Sequence, residues 1–238
     1  MNESRDCGAG RLDLPDGRAT AIAADLAGVV LCGVLAVDGV VVGDAPDLAA
    51  EMSVRAVELR RLYRDLPPAG IPALGEARRL YRAAGVDPTR TRPSSEALLR
   101  RVLREQPLPR VNAAVDAINL ASLHFLLPIG LYDLDRVRGD IELRRGRADE
   151  AYPGIRKGEV HLEGRLGLFD AAGPFGSPTS DSPRTSVDGT TRRLLAIVFA
   201  TSAYPPASLA GDLDLLAGLV HRYCGGRVVC AGLLSRTG

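Results

Sequence analysis

The sequence is poor in aromatic residues: it has no tryptophan and only 4 phenylalanines and 6 tyrosines in 238 residues. Its core must therefore be built mainly from leucine, valine, isoleucine and alanine. It also lacks an excess of charge of either sign, because 30 basic and 29 acidic residues leave a formal net charge of +1. This near balance excludes a strongly basic surface of the kind that coats nucleic-acid-binding proteins, although it allows a local basic patch.

Cysteine is scarce and irregularly spaced. Cys7, Cys32, Cys224 and Cys230 form no CxxC pair, so we expect neither a structural zinc site nor a disulfide framework. A reducing cytoplasm suits this pattern best. The first residues are polar and acidic, which is not typical of a secretory signal, and the longest apolar run, residues 26–37, is too short to cross a bilayer. We expect a cytoplasmic protein with no membrane, metal or cofactor requirement.

The order of apolar patterns predicts an α+β protein: helices first, then a mostly antiparallel sheet packed against them. We expect a frayed segment over residues 1–18 and one domain over residues 19–238. The apolar residues 28–43 predict a buried strand, alternatively a hairpin that turns at Asp38-Gly39. Helices are predicted at about 47–66, 74–84, 94–105, 111–127 and 209–223, and strands at 131–133, 141–144, 159–162, 165–170, 192–201 and 227–233.

The standard catalytic signatures are missing: the sequence contains no Walker loop, GxSxG elbow, HExxH or dinucleotide fingerprint. The central predicted helix nevertheless carries Asp116, Asn119 and Ser122, three residues apart, on an otherwise apolar stretch. Such groups are costly to bury unpaired, so each must find a partner in the protein, in water or in a ligand. For Asp116 the alternatives are an internal ion pair, for example with Arg100 or Arg101, and a functional role. His124, alone on this helix, is interpreted as a core residue.

A second polar stretch, residues 173–185, reads "GPFGSPTSDSPRT" and is rich in turn-forming and hydroxyl-bearing residues. It is predicted to be a loop, and it leads into the apolar strand at 192–201. Loops of this length are either plain surface or functional. Because its end is anchored, its hydroxyl and backbone N–H groups are candidates to surround a small polar ligand.

Five stretches, in order, carry a resemblance to a known family: "RPSSEALLRRVL", "LPRVNAAVDAINLASL", "PIGLYDLD", "GDIELRRG" and "GPFGSPTSDSPRT". Together they resemble the B3/4-domain family, free-standing relatives of the editing domain in the beta subunit of bacterial phenylalanyl-tRNA synthetase. The motif-bearing part covers about residues 80–200. The resemblance implies the same α+β fold and hydrolysis of a mischarged aminoacyl-tRNA ester in trans, with aminoacyl-tRNA as the partner.

The resemblance also implies roles for single residues. Asn119 and Asp181 are implied as catalytic, Asn119 holding the ester or ribose and Asp181 pairing with the α-ammonium group. Substrate contacts are implied for Ser122, Gly130, Arg144, Gly176, Ser182 and Thr185, with a purely structural role as the alternative for Arg144. Contacts with RNA are predicted for arginines around the start of the third helix, with a solvated, salt-bridged helix face as the alternative: Arg90, Arg92, Arg100 and Arg101.

Two positions depart from the synthetase pattern. Gly130 stands where the synthetase domain has a histidine, and Ile118 stands where it has a threonine. These departures favour a first alternative, a non-catalytic module that binds tRNA, other RNA or an amino acid. The near-neutral charge favours a second alternative, a hydrolase or sensor of a small amino-acid derivative, because RNA-binding proteins usually present a basic field.

Overall fold

The computed structural model describes residues 10–156 and 158–237. Five helices run over Pro46–Leu62 (α1), Gly75–Ala83 (α2), Ser94–Leu103 (α3), Ala113–Phe125 (α4) and Pro206–Cys224 (α5). The strands are Arg11–Asp13 (β1), Ala19–Ile22 (β2), Val30–Asp38 (β3), Ile129–Asp133 (β4), Ile141–Arg145 (β5), Ala151–Pro153 (β6), Glu159–His161 (β7), Leu166–Asp170 (β8), Gly173–Ser177 (β9), Ser180–Asp181 (β10), Arg193–Thr201 (β11) and Arg227–Ser235 (β12).

A four-stranded antiparallel sheet, in the order β12-β3-β11-β4, forms the centre of the fold. Its strands β3 and β11 are apolar at nearly every position because both faces of the sheet are covered. Leu35 and Val198 pack on the side of α4 and α5, whereas Val34 and Ile197 pack on the opposite side. The predicted α+β class, with helices packed on a mostly antiparallel sheet, is confirmed.

The opposite face of the central sheet is covered by a second sheet, in the order β1-β2-β5-β8-β9-β10. Within it only β2 and β5 run parallel. Leu143, Leu168 and Phe175 from this sheet pack with Phe199 of the central sheet into one apolar cluster. The molecule is thus layered as helices, central sheet and second sheet, and β6 and β7 form a separate two-stranded ribbon beside them.

The N-terminal region differs from the expectation. Residues 11–13, predicted to be frayed, form β1 and pair with β2, while residues 1–9 lie outside the described residues. The strand β3 ends at Asp38, and residues 40–45 after the turn form no strand, so the hairpin alternative is wrong. β3 pairs instead with β11 and β12, which lie far along the chain. Strands therefore precede the helices as well as follow them.

The helix α4 begins two residues later than predicted, and Asn112 caps it by accepting a hydrogen bond from the Val115 N–H at 2.9 Å. It ends at Phe125 because Leu126 adopts a left-handed conformation (φ 58°) just before Pro128. The chain then turns directly into β4. This short connection packs α4 against β4, which also contacts β10, so that α4 and β10 border the same cavity.

The segment predicted as one loop is partly regular. Residues 173–185 form β9, β10 and a single 3-10 turn over Pro183–Thr185. The strand β10 pairs with β9 through Ser180 and Asp181, which fixes the direction of the Asp181 side chain. Among the described residues, no helix is long and apolar enough to cross a membrane.

Candidate functional site

A cleft of about 490 Å³ lies between α4, α3, β4 and β10. The face of α4 that borders it is Val115, Ile118, Asn119 and Ser122, which are the positions that share one side of a helix. The remaining lining comes from α3, from the segment before α4, from β4, from the turn after β6, and from β10 and the residues that follow it: Ser94, Leu98, Val111, Ile129, Leu131, Ile155, Arg156, Asp181, Pro183, Ser186 and Val187. Its walls are mainly apolar, with few polar groups among them, as in most small-ligand sites.

Asn119 is the polar group that α4 presents to this cleft. Among the described residues, no hydrogen bond or ion pair engages its side-chain amide. The amide carries two N–H donors and a carbonyl acceptor, so it can bind both the acceptor and donor atoms of a ligand. Asp181 borders the same cleft from β10. The structure thus brings together the two residues that were predicted to be catalytic.

The other two members of the polar ridge are engaged within the protein. Ser122 lines the cleft, but its hydroxyl donates to the Leu127 carbonyl at 2.8 Å. The buried Asp116 accepts a hydrogen bond from the Arg110 side chain at 2.5 Å and another from the Val111 N–H at 3.1 Å. Arg110 is therefore its partner, rather than Arg100 or Arg101.

Asp116 and Asn119 face different surroundings because of the geometry of the helix. Residues three apart in an α-helix are offset by about 60° around its axis. The offset directs Asp116 away from the cleft and toward the segment that precedes α4. His124 lies further along, half-buried near Arg55, and its pKa is lowered first by burial and then by that positive charge. It does not line the cleft.

A buried tyrosine, Tyr132, lies near Asp181 but does not line the cleft, and neither do Gly130 and Gly176, which were predicted to contact the substrate. Its ring meets Phe175 edge-on, with centroids 5.0 Å apart. A Cβ added to Gly130 would lie 2.2 Å from the Tyr132 hydroxyl oxygen, and one added to Gly176 would lie 2.4 Å from it. Both glycines are therefore needed for the Tyr132 side chain to fit between β4 and β9. This contact gives Gly130 and Gly176 a steric role, and it explains why glycine stands at position 130.

The negative charge of Asp181 contributes to the raised pKa values of three nearby tyrosines. Burial, followed by the nearby negative charge of Asp181, raises the pKa of Tyr132 well above its usual value. Burial is also the main cause that raises the pKa values of Tyr81 and Tyr152, and the Asp181 charge adds to both. The Tyr81 hydroxyl donates to the Pro178 carbonyl at 2.6 Å, and the Tyr152 hydroxyl donates to the Ser180 carbonyl at 2.5 Å. Uncharged tyrosine hydroxyls thus hold the backbone carbonyls of Pro178 and Ser180, at the start of β10.

Three predicted substrate residues point elsewhere. Arg144 donates to both carboxylate oxygens of Glu150, at 2.7 and 2.8 Å, and its guanidinium lies 3.4 Å from the centroid of the Phe169 ring. Ser182 is buried and accepts from the Arg184 N–H at 3.3 Å, which caps the 3-10 turn. Thr185 is fully buried. None of the three lines the cleft.

The arginines predicted to contact RNA lie outside the cleft as well. The buried carboxylate of Glu96 forms an ion pair with Arg100 at 2.9 Å and lies 3.9 Å from Arg92. Arg90 is exposed near Asp87, and Arg101 donates to the Pro107 carbonyl. Much of this patch is thus tied into ion pairs and hydrogen bonds, as the alternative of a salt-bridged helix face describes.

Sequence reasoning missed one charged residue of the cleft. Arg156, in the turn after β6, is exposed at the rim, and no ion pair or hydrogen bond engages its side chain among the described residues. Its isolated position in a turn gave no pattern to read. The same part of the chain contains no group of three or more histidine, cysteine or acidic side chains placed to hold a metal ion.

A family comparison covers the part of the chain that holds the cleft. A family profile described as B3/4 domain matches residues 76–211, which include α3, α4, β10 and every residue that lines the cleft. Among solved structures, the chain is similar to an N-terminal fragment of the phenylalanyl-tRNA synthetase beta-subunit from Pyrococcus horikoshii, at 16% sequence identity and a TM-score of 0.40. The similarity covers 54% of this chain and 43% of the fragment. None of the curated proteins matches the chain.

Proposed function

The chain belongs to the B3/4-domain family, and from this premise we propose that it hydrolyses the ester of a mischarged aminoacyl-tRNA in trans. The observation that carries the proposal is the Asn119 amide, open in the cleft, with Asp181 on the same cleft. The resemblance in sequence implies editing chemistry at these two positions. A cleft of about 490 Å³ lies within the usual range for small-ligand sites.

The chemical need for such a site is general. The aminoacylation site of a synthetase that selects an apolar side chain cannot strongly reject an isostere that adds one hydroxyl. A second site must therefore hydrolyse the wrongly formed ester. The apolar wall formed by Leu98, Ile118 and Leu131 suits the side chain of the amino acid. The polar groups then remain to orient the α-ammonium group, the ester and the terminal ribose.

The proposed reaction needs no side-chain nucleophile. A water oxygen attacks the ester carbonyl carbon, the bond from that carbon to the ribose oxygen breaks, and a proton given up by the attacking water ends on the ribose oxygen. The products are the free amino acid and a tRNA with its terminal hydroxyl restored. The Asn119 N–H groups would donate to the carbonyl oxygen as negative charge develops on it, a contribution typical of oxyanion stabilisation. Asp181 would hold the α-ammonium group, and Arg156 at the rim would contact a phosphate of the terminal nucleotides.

The test is a deacylation assay over a panel of mischarged tRNAs. We expect release of at least one amino acid faster than in buffer, and a loss of about 100-fold or more in kcat for Asn119→Ala, as for removal of an oxyanion donor. Ser208→Ala, an exposed position on α5 outside the cleft, is the matched control and should keep full activity. Release no faster than in buffer for every ester would rule out the hydrolase.

One observation favours a second function, a non-catalytic module that binds tRNA or an amino acid. Ile118 gives the cleft an apolar side chain next to Asn119, where the synthetase pattern has a threonine. Equilibrium binding of the same aminoacyl-tRNAs separates the two functions. Saturable binding without turnover would support the binding module, whereas turnover that depends on Asn119 would support the hydrolase. A small amino-acid derivative as the substrate predicts turnover of aminoacyl esters that carry no RNA.

A further inference from the structure

A second cavity, of about 570 Å³, lies where the C-terminal ends of α1 and α3 meet. Its charged lining consists of five arginines and a single glutamate: Arg60, Arg61, Arg64, Arg100, Arg104 and Glu105. We propose that this arginine pocket binds the phosphate backbone of the RNA whose 3′ end enters the cleft. The inference rests on the proposed function, because it names the part of the protein that would hold the rest of the substrate.

The arginines of this pocket differ from most others in the chain. Arg100 is paired with Glu96 at 2.9 Å, but no ion pair or side-chain hydrogen bond engages the other four among the described residues. By contrast, Arg193 lies within 3.1 Å of Asp16, Asp38 and Asp135. Like charges held at one site repel one another, so a multivalent anion between them would be bound favourably. The formal net charge of +1 conceals this local concentration.

Helix ends explain part of the composition but not the arrangement. Cations are favoured at helix C-termini, which accounts for Arg60 and Arg61 in the last turn of α1 and Arg100 in that of α3. The dipoles do not require both helix ends to open on one cavity, nor do they account for Arg64, which lies beyond α1. A planar guanidinium binds phosphate oxygens in a bidentate manner, and several around one cavity suit successive phosphates.

The cavity also has a surface for the uncharged parts of a nucleotide. Tyr63 and Leu103 line it and are partly buried against the apolar cluster between α1, α3 and α4. An aromatic ring within a basic groove is the usual platform on which a base of single-stranded nucleic acid stacks. A simple phosphate site would not need such a surface.

The helix α3 connects this pocket to the cleft. Ser94 and Leu98 line the cleft, whereas Arg100 and Arg104 line the arginine pocket. With a rise of about 1.5 Å per residue, the six residues from Leu98 to Arg104 span about 9 Å along the helix. A strand whose end lies in the cleft therefore reaches the pocket within a few nucleotides. This short separation is why we infer RNA, rather than a free polyphosphate, as the ligand.

The test uses the full chain with Arg61→Gln, Arg64→Gln and Arg104→Gln combined. A charge-matched control combines Arg138→Gln, Arg147→Gln and Arg227→Gln, three exposed arginines that line neither cavity. Deacylated tRNA binding is measured by filter retention over a range of salt concentrations. Because each lost phosphate contact changes the salt slope by about 0.7 to 0.9, the pocket variant should lose about 2 from the slope and at least about tenfold in affinity. The control should change little.

Two outcomes would overturn the proposal. One is an equal loss of tRNA affinity in the pocket variant and in the control. The other is binding of sodium tripolyphosphate to the pocket, at matched ionic strength, when tRNA does not bind there. The result is independent of catalysis: tRNA binding that depends on the pocket, without deacylation by the wild type, would support the pocket and defeat the hydrolase. Turnover with a KM that does not respond to the pocket variant would do the reverse.

Discussion

The first turn of α4 and its middle turn present the same kind of side chain to very different surroundings. Asp116 is almost fully buried, and its carboxylate accepts hydrogen bonds from Arg110 and from the Val111 N–H. Asn119, three residues later, faces a cleft, and no hydrogen bond engages its amide among the described residues. A polar group in an apolar helix is therefore a functional candidate only where the protein leaves it without a partner.

The difference between the two turns reflects what each must do. The Asp116 carboxylate lies near the helix N-terminus, where negative charge is favoured, and it fastens the incoming segment to α4. The Asn119 amide contributes nothing of this kind to folding. Its place on the cleft fits the ligand-binding role proposed for it, so the two residues are expected to separate stability from activity.

The largest expected effect is the loss of stability on replacing Asp116. Asp116→Ala removes two hydrogen bonds to a charged acceptor and leaves the Val111 N–H without its partner, so the free energy of unfolding should fall by about 2 to 3 kcal/mol. Asn119→Ala should change it by less than about 0.5 kcal/mol, because that side chain has no partner to lose. Urea denaturation of both variants measures the contrast.

The activities of the same two variants complete the comparison. Per folded molecule, Asp116→Ala should retain most of the deacylation rate, whereas Asn119→Ala should lose it. Equal destabilisation by the two replacements would show that Asn119 is a structural residue and would remove the basis for the cleft as a site.

The second effect concerns the packing of Tyr132 against Gly176. A methyl group at position 176 would lie 2.4 Å from the Tyr132 hydroxyl oxygen and 2.8 Å from its ring. Overpacking of this kind should lower the free energy of unfolding of Gly176→Ala by about 2 kcal/mol. Because Asp181 lies beside Tyr132, the activity should fall as well. Thermal and urea unfolding, together with the deacylation rate, measure both consequences.

A double-mutant cycle and a helical control sharpen this result. Tyr132→Phe removes the hydroxyl, so it should relieve part of the cost of Gly176→Ala, by about 1 kcal/mol of coupling. Gly211→Ala on α5 meets nothing within 4 Å and should instead stabilise the helix by up to about 1 kcal/mol. Strictly additive effects of the first pair would contradict the role assigned to Gly176.

The elements that sequence reasoning predicted well are those whose burial is written in a local pattern. The helices α1 to α5 and the strand β11 were recognised because apolar residues recur at the spacing of a helix face or run through a doubly covered strand. The partners of β3 were not, since β11 and β12 lie more than 150 residues along the chain and pairing leaves no local signature. The short β9 and β10 were hidden within a segment rich in glycine and proline.

The same limit applies to the site. Asn119 and Asp181 were placed together by their resemblance to a family, and the structure brings them to one cleft. The spacing of residues could not tell that Ser182 and Thr185 turn inward, because in an irregular segment the direction of a side chain depends on local backbone bonds. Arg156 was missed for the converse reason: an isolated exposed arginine has no pattern.

The smallest expected effect concerns an ion pair outside the cleft. Arg144 was predicted to contact the substrate and is instead bound to Glu150. Hydrogen bonds from Arg144 lower the pKa of Glu150 to about 2. A carboxylate whose pKa is lowered in the folded protein stabilises the fold at pH values above its pKa in the unfolded chain, near 4.3. It loses that contribution as the pH falls toward 2.

Because the pair is partly exposed, Glu150→Gln should lower the free energy of unfolding by about 1 kcal/mol at pH 7 and by less than half of that near pH 3. Urea denaturation at the two pH values measures this, with the exposed Glu163→Gln as a control of near-zero effect. Because this ion pair lies outside the cleft, the deacylation rate of Glu150→Gln should match the wild type, and a large loss of rate would return Arg144 to the substrate.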